Sequence, residues 1–198
     1  MCAILVVGRS VVNMEPTKKH TKWEAFTTVQ KGTIAEEFVQ EKLEADGWVV
    51  YRPNGRHKID IICEKNGKFW AVDVKAKARR IYYPDTGMDA NDMEIYKQLP
   101  LPVYIIFVDD VMGMAYGASL EHLCIEREEN GKKYPWIVKN YVYFPLSAMT
   151  MLWEITPEKI QELAEKTERK QCYSRIYEKG VGYNWLEKRK LAKKKLNK

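Results

Sequence analysis

The stretch Lys58-Ile59-Asp60-Ile61-Ile62-Cys63-Glu64-Lys65-Asn66-Gly67-Lys68-Phe69-Trp70-Ala71-Val72-Asp73-Val74-Lys75 reads as one β-hairpin. Asn-Gly accepts the two positive φ angles of a type I′ turn, so Asn66 and Gly67 form the loop and Lys65 faces Lys68. Counting outward from that turn, Ile61 faces Val72, Asp60 faces Asp73 and Ile59 faces Val74. One side of the hairpin is then apolar (Ile59, Ile61, Val72, Val74) and packs on a core. The other carries Lys58, Asp60, Asp73 and Lys75. Directly opposed residues on one side have Cβ atoms roughly 4.5–5.5 Å apart.

Two carboxylates so close repel unless one takes a proton or a cation lies between them. A hard divalent ion with oxygen ligands is the simplest resolution; Mg²⁺, with Mn²⁺ as its substitute, binds through a few carboxylates and keeps waters for a phosphate substrate. The alternative is a solvated hairpin face of mutually compensating ions. Upstream, Ile34, Ala35, Phe38, Val39 and Leu43 recur at helical spacing from about residue 32 to 46, with Gly47 as a stop. At about 100° per residue, Glu36 falls near Leu43 at the edge of the apolar stripe, and Glu37 points away from it. Glu36 is therefore the carboxylate placed to join Asp60 and Asp73.

Working outward, Trp48 to Tyr51 is a short β-prone run, broken by Pro53, Asn54 and Gly55. Arg79 to Gly87, rich in Tyr, Arg, Pro and Gly, reads as a loop just after the hairpin. Asp89 or Asn91 caps a helix running to about Leu99, which Pro100 and Pro102 close. Val103 to Val108 is a continuous β-branched and apolar run, as in a buried central strand. Met114 to Ala118 and Trp136 to Phe144 read as further strands, and Pro157 to about Lys170 as a helix. At the other end, Ala3 to Val7 reads as a short strand and Met14 to Lys22 as a loop. Helices alternating with strands in this way imply α/β or α+β layering around one sheet.

The 198 residues suit one domain over 1–156 with an appended segment over 157–198. Residues 157–198 hold thirteen Lys and Arg against six Glu, a balance of +7, which leaves 1–156 at −1. Basic charge concentrated at one end suits a polyanion, because Lys and Arg release counterions from phosphates. Tyr173, Tyr177, Tyr183 and Trp185 are interleaved with this charge; they suit docking of a helix or stacking on unpaired bases. Cys2, Cys63, Cys124 and Cys172 are scattered, which argues against zinc or iron–sulfur modules and for a reducing, cytoplasmic (intracellular) setting. No apolar run is long enough to span a membrane, and Ala3–Val7 lacks the basic flank of a signal peptide.

In order and spacing, Gly32-x-x-Ala35-Glu36, Lys58-Ile59-Asp60 and Asp73-Val74-Lys75 resemble the PD-(D/E)xK nuclease superfamily. Within it the helix pattern is nearest to archaeal and phage-type Holliday junction resolvases. The similarity spans about residues 31–77 and continues toward Leu99; Ile59 stands where the family name has proline. It implies a restriction-endonuclease-like α/β (α+β) fold, a mixed central sheet flanked by helices, with a basic helical C-terminal extension. It also implies a catalytic set of Glu36, Asp60, Asp73 and Lys75. Asp60, Asp73, the carbonyl of Val74 and, through water, Glu36 would hold one or two Mg²⁺ ions.

By the same resemblance, Lys75 would orient or deprotonate the attacking water. Lys58, Lys77, Arg79, Arg80, Lys188, Arg189 and Lys190 are candidate nucleic-acid contacts, Tyr82 and Tyr83 candidate stacking groups, and Gln98 a candidate glutamine of the following helix. The implied activity is metal-dependent endonucleolytic cleavage of branched or duplex DNA in recombination or repair, by a homodimer with no membrane partner. A restriction-like, repair or RNA-cleaving nuclease of the same superfamily, and a non-catalytic nucleic-acid-binding protein, stand as the alternatives.

Overall fold

Asn66 and Gly67 take φ of 56° and 72°, and the ladder from Lys65–Lys68 to Ile61–Val72 has the register read from the sequence. The computed structural model describes residues 26–53, 59–80 and 82–168. In it the hairpin arms are β2 (Ile61–Lys65) and β3 (Lys68–Ala76). They lie in a six-stranded sheet with β1 (Val49–Tyr51), β5 (Val103–Asp109), β6 (Met114–Ser119) and β11 (Thr150–Glu154), in the order β1-β2-β3-β5-β6-β11. Only β3 and β5 run parallel; the other neighbours are antiparallel, so the sheet is mixed. Strand β5 is covered on both sides: Ile106 and Val108 face one core, Ile105 and Phe107 the other.

Helix α1 (Thr28–Ala45) covers the first face. It begins earlier than its apolar stripe, because Thr27 and Gln30 form a reciprocal capping box that satisfies the first free amides. Beside it lies a helix over 157–168, labelled α4. Its Ile160, Leu163 and Ala164 join Phe38, Val39, Val72 and Val74 in one cluster, so this part of the appended segment belongs to the core. Lys159 and Lys166 pair with Glu41 at 2.7 and 2.6 Å, and Lys166 with Glu37 at 3.3 Å.

The second face carries α2 (Ala90–Tyr96), the short α3 (Leu120–Leu123) and a three-stranded sheet. That sheet has the order β4-β10-β9, with β4 (Asp85–Asp89), β9 (Trp136–Val138) and β10 (Tyr141–Pro145). Met88, Val142 and Phe144 turn inward from it. The end of the 79–87 stretch is therefore a strand and not a loop. Gly87 is there for close approach: a Cβ would lie 2.3 Å from the Val142 carbonyl oxygen. The 136–144 run is two strands, folded back where Lys139 takes φ 55°. A further hairpin, β7 (Arg127–Glu129) and β8 (Lys132–Tyr134), turns at Asn130 and Gly131.

Ala3–Val7, Met14–Lys22, Lys58, and the tail with Lys188, Arg189 and Lys190 lie outside the described residues. Among those described, no helix is long and apolar enough to cross a membrane. Cys63 and Cys124 are free thiols, and burial pushes Cys63 up to about 11.

Candidate active site

Pairing between β2 and β3 stops at Ile61–Val72, one residue short of the opposed aspartates. The chain bends at Asp60, whose carboxylate Oδ2 accepts the Val74 N–H at 2.8 Å. A side chain thus replaces the ladder partner that the next β2 residue would have supplied. This corrects the Asp60–Asp73 pair read from the register: Asp60 leaves the ladder. Ile59 leaves its expected face too, and joins the cluster of Met88 and Phe107 on the far side.

Among the described residues, no strand pairs with the β2-side edge of β3 beyond Val72. Ala71 and Lys77 donate their amides to Pro102 and Val108, so the odd-numbered residues of β3 bond toward β5. The amide of Val74 points the opposite way, to Asp60. In an extended strand the N–H and C=O of one residue share an edge, so the Val74 carbonyl is directed to the same side as the Asp60 carboxylate.

Asp73 is 1% exposed. Its Oδ1 accepts from the Tyr96 hydroxyl at 2.7 Å and from Lys75 Nζ at 3.2 Å. Its Oδ2 lies 3.1 Å from Lys75 Nζ but is buried with no hydrogen bond. Burial pushes the Asp73 carboxyl up to about 6; the Lys75 ammonium pulls it back and the charge of Asp60 adds to the rise. Lys75 also pairs with Asp92 of α2 at 3.1 Å. Burial works against its charge, yet Asp73 and Asp92 together outweigh it and raise its pKa, so the ammonium is retained.

Glu36 comes to this cluster from α1. Burial, then the charge of Asp60, pushes it up to about 7, against the pull of Arg52, whose guanidinium is 3.2 Å away. Glu37, expected to point outward, is buried at 5% exposure. Arg52 (3.4 Å) and Lys166 of α4 cover it, a burial that the stripe of α1 alone cannot foretell. Gln98 is exposed past the end of α2, and Tyr96 is the residue of that helix that reaches Asp73. Tyr96 and Asp92 were not singled out in the sequence. Their i, i+4 spacing behind the Asp89 cap, which puts both on one helix face, is the signal that could have found them.

Beyond Lys75, Lys77 rests on the Tyr141 ring at 3.9 Å. Burial, then the charges of Lys75 and Arg80, lowers its pKa. The Arg79 amide donates to Asp109, which also accepts from Val111 and Met112 and so closes the turn after β5. Arg80 pairs with fully buried Asp85 and lies over Tyr143, so its guanidinium braces the loop. Tyr82 is 86% exposed.

The donor set fits a hard divalent ion. Two carboxylates, one with a buried oxygen that makes no hydrogen bond and rests on the Lys75 ammonium alone, and a backbone carbonyl meet where β2 ends, with a third carboxylate nearby. Among the described residues no three His, Cys, Asp or Glu side chains close into a ready-made cage. Mg²⁺ needs none, since it binds through one or two carboxylates and retains waters.

No family model matches the sequence, and no curated protein matches it. Among solved structures, the chain is similar to Hjc, a Holliday junction resolvase of the archaeal hyperthermophile Archaeoglobus fulgidus, at 14% identity and TM-score 0.43 over 60% of this chain and 86% of that one. It is similar to a bacterial homing endonuclease at 17% identity and TM-score 0.40, over 54% of this chain and 81% of that one. It is also similar to a nuclease from a fusselovirus, at 12% identity and TM-score 0.36, over 67% of this chain and 89% of that one. The likeness in each case is one of fold.

Proposed function

We propose that this chain is a Mg²⁺-dependent endonuclease that hydrolyses DNA phosphodiester bonds, with branched DNA of the Holliday junction type as its substrate and a homodimer as its working form. The observation that carries the reading is the cluster where β2 ends: buried Asp73 ion-paired with Lys75, and Asp60 on the Val74 amide. A solvated face of compensating ions would not bury one of its carboxylates to 1% exposure.

Bound by Asp60, Asp73 and the Val74 carbonyl, with Glu36 reaching through water, Mg²⁺ would supply Lewis-acid activation of the attacking water and neutralise phosphate charge. Tyr96 holds Asp73 in one rotamer by donating to Oδ1. Asp92 and Asp73 grip the Lys75 ammonium from two sides, which fixes its position where β2 ends, beside the place a bound phosphodiester would take. There it orients the attacking water and donates to the phosphoryl oxygens as charge builds on them. In-line attack forms one P–O bond and breaks the other.

The test is incubation of the full chain with a four-way junction, linear duplex, single-stranded DNA and RNA, each with Mg²⁺, Mn²⁺ or EDTA, and Asp73→Ala as control. The reading expects metal-dependent cleavage, fastest on the junction and absent in the variant. Cleavage in EDTA, or cleavage untouched by Asp73→Ala, overturns it.

A further inference from the structure

Lys77 stands two residues beyond Lys75, just past the end of β3, and starts a row of alternating rings and cations on the outer face of the β4-β10-β9 sheet. Along β10, Val142 and Phe144 point into the core, so Tyr141 and Tyr143 must point out. Trp136 lies directly opposite Tyr143 on β9, and Gly87 opposite it on β4, where the missing side chain leaves room for the tyrosine ring. Ring centroids follow at 6.3 Å from Tyr141 to Tyr143, 5.7 Å to Trp136 and 6.2 Å to Tyr83. Tyr141 and Tyr83 at the two ends are 42% and 40% exposed.

Three cations punctuate this row: Lys77 over Tyr141, Arg80 over Tyr143, and Lys132 between Tyr83 (3.0 Å) and Trp136 (3.9 Å). The acids on the same face are already engaged. Asp85 is taken by Arg80 and Tyr134, and Asp89 caps α2. Among the described residues, buried Lys132 Nζ has no hydrogen-bond acceptor. Its charge rests on the Tyr83 and Trp136 ring faces and holds the two rings together.

We infer that this strip binds unpaired nucleotides of the substrate beside the scissile phosphate, their bases stacking on the exposed tyrosines and their phosphates meeting Lys77. Base faces and phosphates are the chemistry that alternating rings and cations recognise, without regard to base identity. A fully paired duplex hides its base faces and can use the cations only. The inference rests on the nuclease reading for the position of the cut, and on the strip alone for the preference for unpaired DNA.

The experiment compares binding of the full chain, in EDTA, to a fork with two unpaired oligo-dT arms and to the blunt duplex of the same stem. The fork is expected to bind about tenfold tighter, as one or two stacked bases would give. Tyr141→Ala is expected to remove that margin while leaving duplex affinity within about twofold, and Tyr141→Phe to keep it. Photo-crosslinking of a bromouracil-bearing arm to the unaltered protein gives the same answer without a variant: adducts at Tyr83, Tyr141, Tyr143 or Trp136 support the strip.

Equal affinity for fork and duplex, or crosslinks elsewhere only, overturns the inference. So does a dimer that Tyr141→Ala splits with no fork preference, since the strip would then cover a second copy of the chain. Fork preference without Mg²⁺-dependent cleavage sinks the nuclease reading and leaves the strip standing; cleavage without fork preference does the reverse.

Discussion

Asp73 shares one carboxylate oxygen between Tyr96 and Lys75 and keeps the other buried without a hydrogen bond, so its negative charge is held against both burial and Asp60. Tyr96→Phe removes a 2.7 Å hydrogen bond to that charge and little volume. It is expected to slow single-turnover cleavage about tenfold while changing unfolding free energy by about 1–2 kcal/mol, read from denaturant curves. Asp92→Asn should act alike through Lys75, by freeing the ammonium on one side. Asp60, Asp73 and Lys75 were legible in the sequence because an Asn-Gly turn fixes their register. The bend at Asp60 was not, because a side chain replacing a ladder bond leaves no period to read. Tyr96 and Asp92 depend on how α2 docks, which no local pattern states.

Where the elements meet, Gly87 and the helix over 157–168 decide how the site is framed. Gly87→Ala would place a Cβ 2.3 Å from a backbone oxygen that cannot swing aside. A loss of more than about 2 kcal/mol of stability is expected, with cleavage falling as β4 releases the start of α2. Leu163→Ala, at a fully buried position of α4, should cost about 2–5 kcal/mol, whereas Lys159→Ala, at a partly exposed pair, should cost under about 1. A separate extension beginning at residue 157 would show no such contrast. Asn130-Gly131 is the same turn signal as Asn66-Gly67 but is harder to recognise as a hairpin. Its flanking strands, Arg127–Glu129 and Lys132–Tyr134, are charged and lack the alternation that made the first hairpin stand out. The 79–87 stretch misled for a different reason: its glycine serves close packing and not a turn.

Across the molecule, the carboxylates gathered at the end of β2 make stability depend on pH and metal together. Asp73 and Glu36 titrate near 6 and 7 in the fold, against about 4 and 4.5 when unfolded. The folded protein therefore binds more protons than the unfolded chain between these values. The stability these two groups contribute is full below pH ~4 and is lost as pH rises through ~6 and ~7. With the share of part-exposed Glu36 discounted for solvent screening, the metal-free protein should lose about 3 kcal/mol over this range, most of it from Asp73. Thermal melts should show Mg²⁺ restoring that loss at pH 8 and doing nothing at pH 5; equal stabilisation at both would place the ion elsewhere. The central claim, a divalent cation held by Asp60 and Asp73, is tested most directly by titrating the full chain with Mn²⁺ under electron paramagnetic resonance. One or two bound ions per chain are expected, lost in Asp73→Asn and retained in Lys75→Met. No binding by the unaltered chain, or binding unchanged in Asp73→Asn, would contradict it.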